Sequence, residues 1–124
     1  MLNVIAELTA HTPVVGSLIW VRVMEDDNQQ AAQIAADQMA DPRLGHFYDP
    51  HLKAAREMAA VLGGPGSYAW DTYLVFTPEA EWREAPPQPS DWIHQLDHVA
   101  WAPEQRRHKG QALVDALRLM ISSA

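Results

Sequence analysis

Changes in the period of apolar positions divide the chain into elements. Leu2, Ile5 and Leu8 recur at three-residue steps with Glu7 opposite, which predicts a short amphipathic helix over 2–10 that Thr12-Pro13 ends. Residues 14–23 (VVGSLIWVRV) are β-branched or apolar almost throughout, with only Ser17 and Arg22 clearly polar, so the pattern predicts a strand buried on both faces. The acidic turn Glu25-Asp26-Asp27-Asn28 follows. Asp27 as cap, with Gln30 three positions on, predicts a helix to about Ala40 whose apolar stripe is Ala31, Ile34, Ala35 and Met39. Arg43 to Tyr48 reads as a short extended piece, and Asp49-Pro50 as the cap and first residue of another helix. Leu52, Ala55, Met58, Ala59 and Leu62 are its buried face, and Gly63-Gly64-Pro65-Gly66 is its stop.

Tyr68 to Phe76 (YAWDTYLVF) is the second strong strand. Glu81-Trp82-Arg83 reads as a short edge strand, Ala85 to Pro89 as stiff extended chain, and Ser90 as the cap of a short helix from Asp91 to Asp97. Pro103-Glu104 opens a turn and Gly110 interrupts it. The last helix spans Gln111 to Ile121, with Ala112, Leu113, Ala116, Leu117, Met120 and Ile121 on one face and Asp115 able to pair with Arg118 at i, i+3. Strands alternating with helices predict an α/β layer structure, and 124 residues predict one domain over 1–124.

Composition removes several functions. Sixteen Asp and Glu against nine Lys and Arg give a net charge of −7, the wrong sign for binding a phosphate backbone, so no nucleic-acid partner is expected. Cysteine is absent, which excludes disulfides, thiolate metal sites, a cysteine nucleophile and dithiol redox chemistry in this chain. No apolar run approaches the ~20 residues of a membrane span. The opening segment has no basic stretch ahead of an apolar one, so no membrane partner and a cytoplasmic location are expected. The acidic turn at 25–28 lacks the glycine and the distal glutamate of a calcium loop.

The words Leu18-Ile19-Trp20-Val21, Asp41-Pro42-Arg43, His46-Phe47-Tyr48-Asp49-Pro50 and Ala69-Trp70-Asp71-Thr72-Tyr73-Leu74 resemble a group of bacterial thioredoxin-like proteins. Glu81-Trp82, Ala85-Pro86-Pro87 and Trp92-Ile93-His94-Gln95-Leu96 continue the resemblance, which covers about residues 14–97. It implies an abbreviated thioredoxin-like α/β fold, a mixed sheet flanked by helices. The first central strand and the dithiol start of the first helix are missing, because residues 2–10 resemble the end of that helix. Trp70-Asp71 stands where such proteins place a cis-proline. The resemblance carries architecture rather than activity, and disulfide exchange has no nucleophile here.

Four residues could carry metal chemistry. His94 and His98 are four apart on the predicted helix 91–97 and its extension, a spacing that suits two imidazole ligands, and His46 and Asp49 could complete a zinc site. The structural alternative is a packed His94 bonded to a backbone carbonyl and a solvated His98. Asp71, read as mid-strand, is either a buried acid with a raised pKa or a carboxylate paired with Arg43, His46 or the Trp92 indole. Trp20 and Trp70 are expected in the core. Trp82, Trp92 and Trp101 either cover one end of the sheet or form a surface for a protein partner. No G-x-S-x-G elbow or phosphate-cradling loop occurs.

The leading expectation is a non-redox binding or assembly module. The alternative is a histidine-based divalent-metal protein or metal-dependent hydrolase. A homodimer is expected as well, since the missing central strand leaves 14–23 with an apolar edge guarded only by Arg22.

Overall fold

The Leu-, Ile- and Trp-bearing run at 16–21 pairs with the extended piece at 44–49. In the computed structural model, which describes residues 14–22, 24, 28–38 and 40–123, strand β1 (Gly16–Val21) lies parallel to β2 (Leu44–Asp49). Helix α1 (Gln29–Gln38) makes the crossover between them and packs on β2. The register sets Leu18 beside His46, Ile19 beside Phe47 and Trp20 beside Tyr48. Gly16 is a close approach, because a Cβ there would meet the Leu44 side chain at 2.9 Å. The predicted helix 2–10, Asp27 and Met39 lie outside the described residues.

Two expectations for this region change. β1 is not buried on both faces: Leu18 and Trp20 are half-buried, whereas Val15 and Ser17 are exposed and Phe47 lies exposed beside Ile19. A two-stranded ladder has one packed face, so the period-2 alternation of an open sheet reappears. Helix α1 starts two residues beyond Asp27, and its cap is Asn28, whose Oδ1 accepts the Ala31 N–H at 2.8 Å. Its more protected face is Ala32, Ala35 and Ala36, while Ala31 and Ile34 face water. Arg43 pairs with Asp41 at 2.8 Å.

Helix α2 (Lys53–Leu62) begins later than Pro50. The Asp49 carboxylate reaches forward to the Lys53 N–H at 2.9 Å, and Leu52 adopts a left-handed φ of 60° in the connecting turn. Its buried face is as expected, with Ala55, Met58 and Ala59 buried and Leu62 half-buried. The stop is a Schellman closure: Gly63 N–H bonds to Ala60 C=O and Gly64 N–H to Ala59 C=O at 2.7 Å, with Gly63 at φ 102°.

The chain divides into two compact units after Ala54, in the first turn of α2. In the second, β3 (Thr72–Val75) pairs antiparallel with β4 (Asp91–His94), and α3 (Gln111–Ser123) packs on both. Met58, Ala59 and Ala69 form a core cluster that Leu62, Leu74, Phe76 and Trp101 pack against. Leu113, Leu117 and Met120 are the buried stripe of α3, and Asp115 meets Arg118 at 3.9 Å as its spacing predicts. Glu104–Arg106 is a turn of 3-10 helix.

The expected helix 91–97 is instead strand β4. Trp92 and Ile93 are strong strand formers, and the ladder sets them opposite Leu74 and Tyr73. Ser90, taken as a helix cap, donates its hydroxyl to the Val75 carbonyl at 2.9 Å and sits at the mouth of the ladder. The second strand is shorter than Tyr68–Phe76, and Glu81-Trp82-Arg83 is not a strand but a loop with an Arg83–Glu81 ion pair. Architecture is thus mixed α/β, with two-stranded sheets among the described residues.

Candidate functional site

The parallel ladder determines which way each backbone group of β1 points. Gly16 N–H donates to Arg43 C=O at 2.9 Å and Arg22 N–H to Asp49 C=O at 3.4 Å, so the even-numbered residues of β1 turn their N–H and C=O toward β2. Ser17, Ile19 and Val21 turn theirs outward, and no strand pairs with that edge among the described residues. Of these, Ser17 and Ile19 carry exposed side chains, while Val21 is half-buried. Val15 is 85% exposed, Ile19 36% and its neighbour Phe47 57%. An open ladder edge beside an apolar face is the arrangement that accepts another strand. The residues of β1 and its thin guard at Arg22 are legible in the sequence, whereas nothing there singles out Phe47 as exposed.

Two of the four expected metal ligands, His46 and Asp49, belong to the first unit and two, His94 and His98, to the second. Trp20 Nε1–H donates to His46 Nδ1 at 3.1 Å and the two rings stack at 6.0 Å. An accepting Nδ1 puts the proton of the neutral ring on Nε2, which is buried and has no hydrogen-bond partner among the described residues. His46 also lines a shallow pocket with Gln33, Ala36, Asp37, Ala40, Asp41 and Pro42. Asp49 is buried and caps α2.

His94, in the other unit, is 1% exposed; its Nε2 bonds to Pro103 C=O at 2.8 Å and its Nδ1 accepts the Leu96 N–H at 3.0 Å. Both ring nitrogens are therefore engaged with the backbone. His98 is exposed in a turn with φ 55°, and with no helix under them the four-residue spacing does not align it with His94. Among the described residues no three His, Asp or Glu side chains form a group able to hold a metal ion.

Asp71 stands before β3, at φ 45°, rather than within it. Its carbonyl accepts the Gln95 N–H at 3.0 Å. Arg43 pairs with Asp41, and His46 Nδ1 accepts from the Trp20 indole. Partial burial raises the Asp71 pKa, against a downward pull from Lys109. The neighbouring Tyr73 is raised by burial and then by Asp71, while its hydroxyl accepts from Gln95 Nε2 at 2.7 Å. Across this end of the hairpin Asp97 holds both Lys109 and Arg107, whose hydrogen bonds lower its pKa. The cluster satisfies its own cations internally and has no nucleophile–base pair.

The tryptophans do not make one surface. Trp92 is buried, stacks on Trp101 at 6.0 Å and lies under the Arg106 guanidinium at 5.0 Å, so it is not available for docking. Trp82 is 42% exposed. Trp20 and Trp70 are half-buried.

Comparison of the chain with protein-family models, curated proteins and solved structures gives no match. No helix among the described residues is long and apolar enough to cross a membrane.

Proposed function

We propose that this chain is a non-catalytic binding and assembly module of thioredoxin-like type that works by strand addition at the outer edge of β1. One observation carries the reading: among the described residues, the backbone groups of Ser17, Ile19 and Val21 face outward without a strand partner, beside the exposed apolar side chains Val15, Ile19 and Phe47. Element order supports the thioredoxin-like part, a parallel β–α–β unit followed by a helix, an antiparallel pair and a C-terminal helix. With no cysteine, the chain has no thiol for disulfide exchange. Strand addition suits an edge of this kind because the main chain supplies affinity and the alternating side chains supply selectivity. The histidine-metal reading has no comparable observation behind it, since the ring nitrogens of His94 are bonded to the backbone.

Amide hydrogen exchange tests the reading through its alternation. In dilute protein the amides of Leu18 and Trp20, bonded to β2, exchange slowly while those of Ser17, Ile19 and Val21 exchange fast. Occupancy of the edge slows the second set. Equal protection of both sets in the dilute monomer means that the edge is already closed within its own chain, and the reading fails.

A further inference from the structure

Resting on that reading, we infer that the strand added to β1 is β1 of a second copy, antiparallel about a two-fold axis centred on Ile19. Outward N–H and C=O groups belong to the odd residues, so a two-fold pairing must place an odd residue opposite itself or opposite another odd residue. Ile19 is the middle of the set. With Ile19 facing Ile19, Ser17 faces Val21 and Val21 faces Ser17, and each facing pair exchanges two hydrogen bonds. Every outward group of the strand is then satisfied, and strand order across the joint sheet is β2-β1-β1-β2.

Side chains and charge agree with that register. Ile19 lies beside Phe47 across β1–β2, so the axis builds a row Phe47–Ile19–Ile19–Phe47 on one face, joining two exposed apolar patches. The paired segment Gly16–Val21 carries no charge. Arg22 falls opposite Gly16 of the other copy, and the two arginines stand about 20 Å apart at 3.4 Å per residue, well beyond the ~8 Å screening length at physiological salt. In-register parallel pairing would instead set Arg22 beside Arg22 and repel. The isologous antiparallel arrangement closes on itself and stops at two copies.

The chain has no cysteine, so single cysteines report the register without background. Light scattering at micromolar concentration is expected to give twice the chain mass of 13.9 kDa. Ile19→Cys is expected to oxidise to a covalent dimer, because facing residues of this kind have Cα atoms about 5.5 Å apart, inside the disulfide range of about 4.4–6.8 Å. Val15→Cys, at a more exposed position, is expected not to cross-link, since eight residues of offset put its counterpart about 27 Å away.

Ser17→Pro removes one outward N–H and none of the β1–β2 bonds, so it is expected to give a monomer with an unchanged circular dichroism spectrum. If that variant does not fold, Ile19→Lys places two like charges on the axis and is expected to give the monomer instead. A dimer that fails to cross-link at 19, or that cross-links as readily at 15, overturns this pairing and leaves strand addition standing. A species of 13.9 kDa with fast-exchanging Ser17 and Ile19 amides overturns self-association alone, and one in which those amides are protected overturns the strand-addition reading too.

Discussion

Replacing His94 separates a structural imidazole from a ligand. The ring is 1% exposed, donates from Nε2 to Pro103 C=O at 2.8 Å and accepts the Leu96 N–H at Nδ1 at 3.0 Å. His94→Leu keeps the apolar contact with Trp92, whose ring centroid is 5.9 Å away, but strands one carbonyl and one amide in a closed site. Each orphaned backbone group costs about 1–3 kcal/mol, so the substitution is expected to remove about 2–6 kcal/mol. Against the ~5–15 kcal/mol that holds most domains together, that is a large share. At about 4 °C per kcal/mol for a chain of this length, the thermal midpoint should fall by about 8–24 °C.

Two milder replacements apportion the loss. His94→Gln retains a donor near Nε2 and His94→Asn an acceptor near Nδ1, so each is expected to recover about half of it. The assay is thermal and urea unfolding followed by circular dichroism, with and without zinc. Zinc ion is expected to leave the parent midpoint unmoved. The reasoning fails if His94→Leu is as stable as the parent, or if zinc stabilises the parent and not the variant, which would make a ring nitrogen a ligand.

A Cβ on the buried Gly64 would sit 2.6 Å from the Trp101 ring, which is itself stacked on Trp92 and cannot slide aside freely; Gly64→Ala is expected to cost about 1–3 kcal/mol and to alter the near-ultraviolet circular dichroism of the tryptophans. Two carboxylates should show opposite pH dependence in urea midpoints taken across the ordinary carboxylate range. The Asp71 pKa is raised by burial, so its contribution is fully present below the unfolded value of 3.8 and is lost as pH rises through the raised one; Asp71→Asn is expected to abolish that decline. The Asp97 pKa is lowered by Lys109 and Arg107, so its contribution is present above 3.8 and lost as pH falls through the lowered one, and Asp97→Asn is expected to blunt the acid loss. Parallel pH profiles for the two variants would refute both assignments.

Where local chemistry and tertiary demand agree, the chain was legible. Helix α2 carries its apolar residues at helical spacing and ends on two glycines whose amides close the last turn, so both its buried face and its stop follow from the residues alone. Its start did not, because Asp49 caps across an extra turn at 50–52 in which Leu52 takes a left-handed φ that nothing in the sequence marks. β4 was misread for a related reason. Ser90 looks like a cap, and two histidines four apart look like one helix face, but neither signal outweighs Trp92 and Ile93 opposite Leu74 and Tyr73 in a ladder that only the fold supplies. Losing that helix removes the spacing argument for His94 and His98.

The opposite holds for the edge of β1. Its existence was inferred from an apolar strand with a single charged guard, and the parallel ladder adds what no pattern of residues contains, the parity of the backbone. Which residues face outward depends on whether Gly16 or Ser17 bonds first to β2, a matter of one residue in register. A shift by one would turn Leu18 and Trp20 to the open edge and break the bond between Trp20 and His46. The stacked pair therefore helps to set the register, and the register in turn sets Ile19 outward beside Phe47. Trp20→Leu, which removes the indole donor but keeps an apolar residue, is on this reasoning expected to loosen the odd–even alternation of amide exchange in β1 while leaving β3 and β4 unchanged. Unaltered alternation would show that the ladder holds its register without the stacked pair.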